Sequence, residues 1–333
     1  MVESDRNIRL EYDRWLERAD ASLKPELEEL ASNQEALEDA FWRDLAFGTG
    51  GLRGTMGAGT NRMNVHTVAQ ATQGLAEYLP ISSSGHLEIF RNILGVELPS
   101  ESALQFDIMV HAATVLSTIV VLNKMFFRLC KSFFTFKRDD DFYYVCKLLV
   151  SAIPVGIVGV FFKETVEQFF GSGLLVVGIC LCVTAGLLTF AHFSDHRRGS
   201  LRLRPAGEGR DISWTDAIII GCAQAVAVLP GLSRSGTTIA TGIVLGDKRD
   251  RVAQFSFLMV IIPILGEALL DVRKMIAAPE ATDVSPMVLL IGFIAAFLVG
   301  CAACAWMLQL VRKGKLVWFA LYCVIVGIIC IIW

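Results

Sequence analysis

Two short stretches, LPISSSGHL at residues 79–87 and LPGLSRSGTT at residues 229–238, interrupt apolar sequence with hydroxyl, glycine and ionisable side chains. Each stretch also has a glutamine, Gln73 or Gln224, 12 positions before the glycine of its Ser-Gly pair. Polar, broken backbone inside hydrophobic sequence is tolerated only where it is buried in protein or lines a wet cavity. A matched pair of such breaks in two halves of a chain indicates the binding site of an inverted-repeat membrane protein.

The composition predicts a membrane protein with a soluble head. The chain has 333 residues, of which 54% are hydrophobic and 19% charged, and its mean hydropathy is +0.54. Residues 1–60 carry 7 basic and 13 acidic side chains, a net charge of −6, whereas residues 61–333 have a net charge of +3. We therefore predict two parts, 1–64 and 65–333. The first 30 residues are charged and contain no apolar core, so we expect no signal peptide.

Six apolar stretches are long enough to cross a bilayer core, which takes about 20 helical residues. Two others, 65–95 and 214–246, are broken by the polar loops into halves too short to cross, so we predict a re-entrant hairpin at each. The predicted fold is all-α and polytopic. It is an inverted repeat of one re-entrant helical hairpin plus three transmembrane helices, with a small α-helical soluble N-terminal extension. The six predicted spans are 106–128, 143–162, 174–194, 252–272, 287–311 and 316–333.

The basic residues orient the membrane part, because cytoplasmic connections are enriched in Lys and Arg. The connection 96–105 holds Glu97 and Glu101 and no base. This pattern puts the first hairpin on the outer side and the second on the cytoplasmic side. One hairpin plus three spans gives an odd number of crossings, so the second copy must be inverted. The basic connections are 124–142, 195–213, 247–251 and 312–315.

The glutamine and glutamate before the first loop are candidates for binding a cation. Gln73 and Glu77 are four positions apart and share a face of a helix. An amide and a carboxylate there could hold a hard divalent cation through oxygen. The alternative is a solvated polar pair, which is common on helices. The proline and three serines that follow favour a site.

The loop itself carries three serines and a histidine. Ser82, Ser83 and Ser84 could cap the helix that begins near the loop glycine. Capping the helix is compatible with binding a phosphate, since the N–H groups at the start of a helix also bind anions. His86 could be a buried structural histidine. Close to serines in a wet loop, it could instead act as a base, an acid or a nucleophile.

Arg234 in the second loop requires an anionic partner, because a guanidinium at membrane depth costs on the order of 3 kcal/mol. No acidic residue lies within ten positions of Arg234 on either side. We therefore expect a phosphate rather than a carboxylate side chain as its partner. The surrounding hydroxyls are those of Ser233, Ser235, Thr237 and Thr238.

The segments QGLAEYLPISSSGHL and LPGLSRSGTT closely resemble the two signature motifs of the undecaprenyl-diphosphate phosphatase family of the bacitracin-resistance type. FSFLMVIIP at 255–263 is also typical of that family, and the resemblance covers about residues 73–333. It implies a ten-helix body with two re-entrant loops and a requirement for a divalent cation, Mg²⁺ or Ca²⁺. The implied reaction is hydrolysis of undecaprenyl diphosphate to undecaprenyl phosphate and inorganic phosphate, which recycles the lipid carrier for cell-wall peptidoglycan synthesis and gives bacitracin resistance.

The family motifs assign roles by position. Gln73 and Glu77 fall on the metal-binding positions. The catalytic positions are Ser83, His86, Glu77 and Arg234, and the phosphate-binding positions are Ser82, Ser84, Ser233, Ser235, Thr237 and Thr238. Whether Ser83 or His86 attacks, or His86 activates a water, stays open at this point.

The resemblance also implies location and partners. It places the chain in a bacterial plasma membrane as a multi-pass protein whose active site faces outside. The expected partners are a polyprenyl diphosphate lipid and the membrane, with a homodimer as a further expectation and no nucleic acid.

The N-terminal part resembles a different family. YDRWLE at 12–17, the glycine-rich run 47–64 and HTVAQATQGLAEYL at 66–79 are similar to the first segment of phosphoglucomutases and phosphomannomutases. The active centre of those enzymes is a phosphorylated serine further along the chain, which has no counterpart here. Arg53 could contact a phosphate. We expect a phosphohexomutase-like fragment at 1–64 without mutase activity.

Two alternatives to a phosphatase remain. Inverted repeats with broken helices are common in transporters, and a lipid-phosphate flippase would need the phosphate cradle but no nucleophile. An inactive fusion product is the second alternative, because residues 64–72 are polar where the phosphatase family has an apolar half-helix.

Overall fold

The computed structural model describes residues 8–18, 23–41, 47–48, 51–52, 76–94, 100–170, 173–200, 209–277 and 286–332. Within these ranges the chain forms fourteen α-helices and one pair of two-residue strands. Gln73, Arg53 and the polar segment 64–72 lie outside the described residues. The predicted first half of the first hairpin, before residue 76, lies outside them as well.

The N-terminal extension packs three short helices around one aromatic residue. Phe41 is fully buried, and the rings of Tyr12 and Trp15 meet it edge-on, with centroids 6.0 and 5.8 Å away. This small core joins the first of these helices to the third and agrees with the predicted small helical N-terminal extension. The antiparallel strand pair that follows was not predicted. The elements are α1 (Ile8–Arg18), α2 (Lys24–Leu30), α3 (Gln34–Phe41), β1 (Phe47–Gly48) and β2 (Gly51–Leu52).

The remaining described residues are helical apart from turns. Asp139 and Ser213 cap two of these helices, because their side chains accept the N–H groups of the first turn. In chain order the helices are α4 (Ser83–Leu94), α5 (Ser100–Val121), α6 (Asn123–Phe134), α7 (Asp140–Phe161), α8 (Lys163–Phe170), α9 (Leu174–Ser200), α10 (Trp214–Val226), α11 (Arg234–Leu245), α12 (Arg249–Ala277), α13 (Pro286–Arg312) and α14 (Val317–Ile332).

Several of these helices are apolar, which is consistent with a polytopic membrane protein. Among the described residues, Asp140–Phe161 and Leu174–Ser194 are single helices long and apolar enough to span a bilayer. Two bent pairs pass the same test, His111–Val121 with Asn123–Phe134 at 91° and Ala296–Arg312 with Val317–Ile332 at 113°. The predicted stretch 252–272 forms one helix, α12, and 287–311 lies within α13.

The predicted span 106–128 is wrong at its C-terminal end, because the helix breaks at Leu122. The backbone of Leu122 leaves the helical region (φ −100°, ψ 21°), and the Asn123 side chain donates to the Val120 carbonyl at 2.7 Å. A straight continuation would carry Lys124 and Arg128 into the hydrocarbon, which is costly. The chain instead turns by 91° into α6.

Glycines allow the helices α9 and α14 to approach closely. A Cβ atom added to Gly178 would lie 2.7 Å from the Gly327 carbonyl oxygen, and one added to Gly327 would lie 2.9 Å from the Gly178 carbonyl oxygen. Backbones can come this near where a glycine leaves out the side chain at the contact. Gly221 on α10 meets the Ser151 backbone of α7 in the same way, at 2.4 Å. The Gly221 contact packs α10, the helix that leads into the second loop, against α7.

Candidate active site

The residue before the first loop is anchored to α5. Tyr78 is buried, and its hydroxyl donates to the Thr114 carbonyl at 2.7 Å and lies 2.9 Å from the Thr118 hydroxyl. Its ring also packs edge-on against Phe257 of α12. The position of the loop is therefore set by two helices that are distant in sequence.

Ser82 starts α4 from an uncommon backbone conformation. Its φ is +65°, in the left-handed region that costs a non-glycine residue free energy. The Ser82 hydroxyl accepts the Gly85 N–H at 3.2 Å, which is the usual N-cap bond. Its hydroxyl also lies 3.4 Å from that of Ser84. Ser82 thus caps the helix, which is one of the roles that the sequence allowed for the serines.

The second loop repeats this arrangement at the start of α11. Ser233 accepts the Gly236 N–H at 3.1 Å, and its hydroxyl lies 3.4 Å from that of Ser235. The Ser233 N–H is in turn bound by the Thr184 hydroxyl of α9 at 3.2 Å.

The two loops interlock at their glycines. A Cβ atom on Gly85 would lie 2.9 Å from the Gly231 Cα, and one on Gly236 would lie 3.1 Å from the Pro80 Cβ. The Ser235 hydroxyl also donates to the Leu79 carbonyl at 3.2 Å. The loops therefore form one structural unit, although about 150 residues separate them.

Glu77 joins the two loops through its carboxylate. Ser83 donates its hydroxyl proton to Oε1 at 2.9 Å, and Arg234 donates from Nη2 to Oε2 at 3.1 Å. The Glu77 side chain is 7% exposed and that of Arg234 is 28% exposed. The expectation that no carboxylate side chain would partner Arg234 is wrong, because its partner is distant in sequence and close in space. Such a hydroxyl–carboxylate pair can activate the serine as a nucleophile.

Both ring nitrogens of His86 have partners. Nδ1 lies 2.8 Å from the Ser82 carbonyl oxygen, which can only accept, so Nδ1 carries the proton. In the neutral imidazole, Nε2 is then an acceptor, and the Tyr322 hydroxyl donates to it at 2.7 Å. The planes of the two rings are nearly parallel, at 10°, with the ring centroids 5.6 Å apart. This geometry fixes both the tautomer and the orientation of His86.

The predicted residues on α11 do not all lie at the contact between the two loops. Thr238 lies a turn below Arg234, where its hydroxyl donates to the Arg234 carbonyl at 2.8 Å and accepts from Ser256 at 2.9 Å. Thr237 is buried. The structure therefore brings Ser83, Glu77 and Arg234 directly together, and it places Thr238 in the packing beneath them.

Comparison with known proteins shows the family of this chain. The profile of the family described as Bacitracin resistance protein BacA matches residues 67–329. This chain belongs to the BacA family. The match contains both loops, and the first 66 residues lie outside it.

Similar proteins carry the name Undecaprenyl-diphosphatase. One from Parabacteroides distasonis is 54% identical over 260 residues, which cover 78% of this chain and 93% of the relative. One from Bacteroides fragilis is 54% identical over 261 residues, covering 78% and 94%. One from Christiangramia forsetii is 44% identical over 261 residues with the same coverage.

Several residues at this BacA-family site were missed from the sequence. Tyr322, Thr184 and Ser256 are polar side chains within apolar helices, and each contacts one of the predicted residues. A polar side chain in a lipid-embedded helix is a signal for function or packing. The sequence alone does not tell which loop such a residue faces.

Proposed function

We propose that the chain hydrolyses undecaprenyl diphosphate to undecaprenyl phosphate and inorganic phosphate, as the names of its relatives indicate. The observation that supports this most is the Glu77 carboxylate shared by Ser83 and Arg234. The carboxylate brings the Ser83 hydroxyl next to the positive charge of Arg234. Phosphoryl transfer depends on this kind of positioning and charge stabilisation. The product would return to cell-wall synthesis as the lipid carrier, and its turnover would give bacitracin resistance.

Ser83 is the nucleophile that the contacts favour. Its Oγ would attack the terminal phosphorus while its proton passes to Glu77, and the bond from that phosphorus to the bridging oxygen would break. Undecaprenyl phosphate would leave, and water would then release phosphate from the serine. Attack by His86 is less favoured, because both of its ring nitrogens already have partners. Arg234 would stabilise the negative charge of the diphosphate.

A divalent cation fits this site only together with the substrate. Among the described residues, no group of three or more His, Cys, Asp or Glu side chains could form a protein cage. Mg²⁺ is commonly held by one or two carboxylates plus substrate phosphates, so Glu77 with Gln73 and the diphosphate would suffice. Bound there, the cation, Mg²⁺ or Ca²⁺, would neutralise phosphate charge.

The inverted repeat of re-entrant hairpins is part of the proposal, and reciprocal contacts support it. A shift of 151 positions relates Gly85 to Gly236 and Pro80 to Gly231. Gly85 contacts Gly231, and Gly236 contacts Pro80. Exchanging each residue for its equivalent in the other repeat therefore converts one contact into the other. A two-fold axis generates contacts of this reciprocal kind. Gly178 of α9 and Gly327 of α14, which are 149 positions apart, also contact each other reciprocally.

The location and the remaining partners are proposals too. We place the site toward the outer face because the connections at the opposite ends of the helices carry the basic residues. The homodimer, the absence of nucleic-acid binding and the inactive mutase-like head stay predictions.

Phosphate release from purified undecaprenyl diphosphate tests the function against the flippase alternative. Detergent-solubilised full-length chain should release inorganic phosphate in a reaction that depends on a divalent cation, and Glu77→Gln should require more cation for half-maximal rate. A flippase would release none, although it would move labelled lipid between leaflets of a vesicle. An inactive fusion product would do neither.

A further inference from the structure

The helix α6 has three distinct faces. Leu129 and Ser132 are buried against the protein, and Phe127 and Phe134, seven residues apart, are 64% and 75% exposed on another face. Phe136, in the turn after the helix, is 76% exposed. Large exposed phenyl groups on one face of a helix are typical of contact with lipid.

The third face of α6 is basic and adjoins the phenyl face. Lys124, Arg128 and Lys131 recur at spacings of four and three residues, which places them on one side of the helix. All three are exposed. Arg128 forms an ion pair with Asp141 at 2.9 Å, whereas neither lysine forms an ion pair with another residue in the part of the chain that the structure describes. Lys137 and Arg138 extend the positive charge beyond the helix.

The direction of α6 matches a helix that lies along a membrane surface. It turns by 91° from α5, an apolar helix of the membrane part. A helix perpendicular to such a span runs parallel to the bilayer plane, with its apolar face toward the acyl chains and its basic face toward headgroups. We propose that α6 is an interfacial helix that binds anionic lipid headgroups through Lys124 and Lys131.

Hydrogen exchange in vesicles tests this proposal. The full chain would be reconstituted in phosphatidylcholine alone or with phosphatidylglycerol, and backbone exchange of peptides covering 123–136 measured by mass spectrometry. Anionic lipid should slow exchange in α6 by roughly tenfold, since each surface lysine strengthens the binding of the helix to anionic headgroups. Because both leaflets have the same composition, the result does not depend on the direction in which the chain inserts into the vesicle membrane.

The control separates α6 from general charge effects. Lys124→Gln with Lys131→Gln should remove the difference between the two vesicle types. Lys313→Gln with Lys315→Gln, which changes the same charge at another basic turn, should keep it. Equal exchange in both lipids for the wild type, or a difference that persists in the α6 double variant, would overturn the proposal.

A separate observation concerns Tyr322, and its interpretation depends on the proposed function. The Tyr322 hydroxyl holds His86 Nε2 at 2.7 Å while the Ser82 carbonyl holds Nδ1. The next residue, Cys323, lies with its sulfur 3.5 Å from the Pro80 carbonyl oxygen. α14 therefore meets the first loop at two consecutive side chains. We propose that Tyr322 is a positioning residue that sets the tautomer and ring orientation of His86 beside the serine loop.

Tyr322→Phe keeps the ring and removes only the hydroxyl. It should lower kcat for phosphate release by about tenfold, with KM unchanged, which is less than the roughly 100-fold or more that a group transferring the proton itself contributes. Tyr143→Phe is the matched control, since Tyr143 and Tyr322 are 42% and 41% exposed. It should leave kcat at the wild-type value.

Chemical labelling gives a readout that does not need activity. Diethyl pyrocarbonate should modify His86 faster in Tyr322→Phe than in the wild type, as located by mass spectrometry, because the Nε2 lone pair is freed. Unchanged labelling together with unchanged kcat would refute the role of Tyr322. A wild-type chain that releases no phosphate, yet shows the labelling difference, would refute the proposed function and leave the contact established.

Discussion

Glu77 is the residue through which the two loops meet, since one carboxylate oxygen contacts Ser83 and the other contacts Arg234. Its position explains how an arginine is accommodated in an apolar environment. The sequence identified all three residues from their polar character and spacing. It could not identify their mutual contacts, because a local search around Arg234 finds no acid and the partner lies 157 positions away.

Arg234→Lys tests whether the guanidinium group of Arg234 is needed for phosphate release. A lysine is a point charge that cannot present the planar pair of donors an arginine presents to a phosphate. We expect phosphate release to fall by about 100-fold, the usual effect of losing one well-placed donor. Arg128→Lys, at an exposed ion pair, is the control and should be neutral. Near-normal turnover in Arg234→Lys would show that Arg234 is structural.

At the scale of elements, the interlocked loops depend on glycine where one backbone passes another. Gly85→Ala would place a methyl group 2.9 Å from the Gly231 Cα, which cannot move away freely because the Val177 backbone of α9 packs against Gly231. We expect a loss of about 1–3 kcal/mol in stability and reduced activity.

Gly186→Ala is the matched control on α9, because nothing lies within 4 Å of its added Cβ. It should be neutral or stabilising by up to about 1 kcal/mol, since alanine is the better helix former. Thermal unfolding of both variants in the same detergent makes the comparison. An equal effect of the two substitutions would contradict close contact between the loops.

The turn between α11 and α12 contains a buried acid. Burial first, and then the nearby Asp216, raise the pKa of Asp247 to about 7, although Arg210 acts to lower it. The folded state therefore keeps a proton that the unfolded chain releases near about pH 4. This contribution to stability is complete below that pH and is lost as the pH rises through about 7.

Asp247→Asn is neutral at every pH and should avoid this loss. The melting temperature of the variant relative to the wild type should rise between about pH 5 and about pH 8. Asp211→Asn, whose side chain is 70% exposed, should show a much smaller change. A variant that becomes relatively less stable at the higher pH would show that the Arg210 ion pair outweighs burial.

At the scale of the whole molecule, apolar length and charge predicted most of the helices. They failed at Leu122, where the apolar run continues into Phe126 and Phe127 although the helix turns. Hydropathy does not register that Asn123 can bind a carbonyl of the preceding turn. The pairing of the two loops followed from their similarity. The contacts of Tyr78 and Tyr322 with α5 and α4 required coordinates, because nothing in the spacing relates those residues.

The N-terminal extension should contribute no chemistry. Its helices bury Tyr12, Leu27 and Phe41 in a core of their own. Deleting residues 1–60 should therefore leave the rate of phosphate release equal or higher. The residues after 64 must be kept, since they precede Glu77 and include Gln73. A sugar-phosphate isomerase activity in the full chain that disappears on truncation would refute this view of the head.

The central claim is that both loops form one hydrolytic site around Glu77. The most direct test is the steady-state rate of phosphate release from undecaprenyl diphosphate for the wild type, Ser83→Ala, Arg234→Ala and the double variant. Groups that act as one unit show strongly non-additive losses. We predict that the double variant is no slower than the worse single variant. Losses that multiply, or a wild-type chain that releases no phosphate, would contradict the shared site.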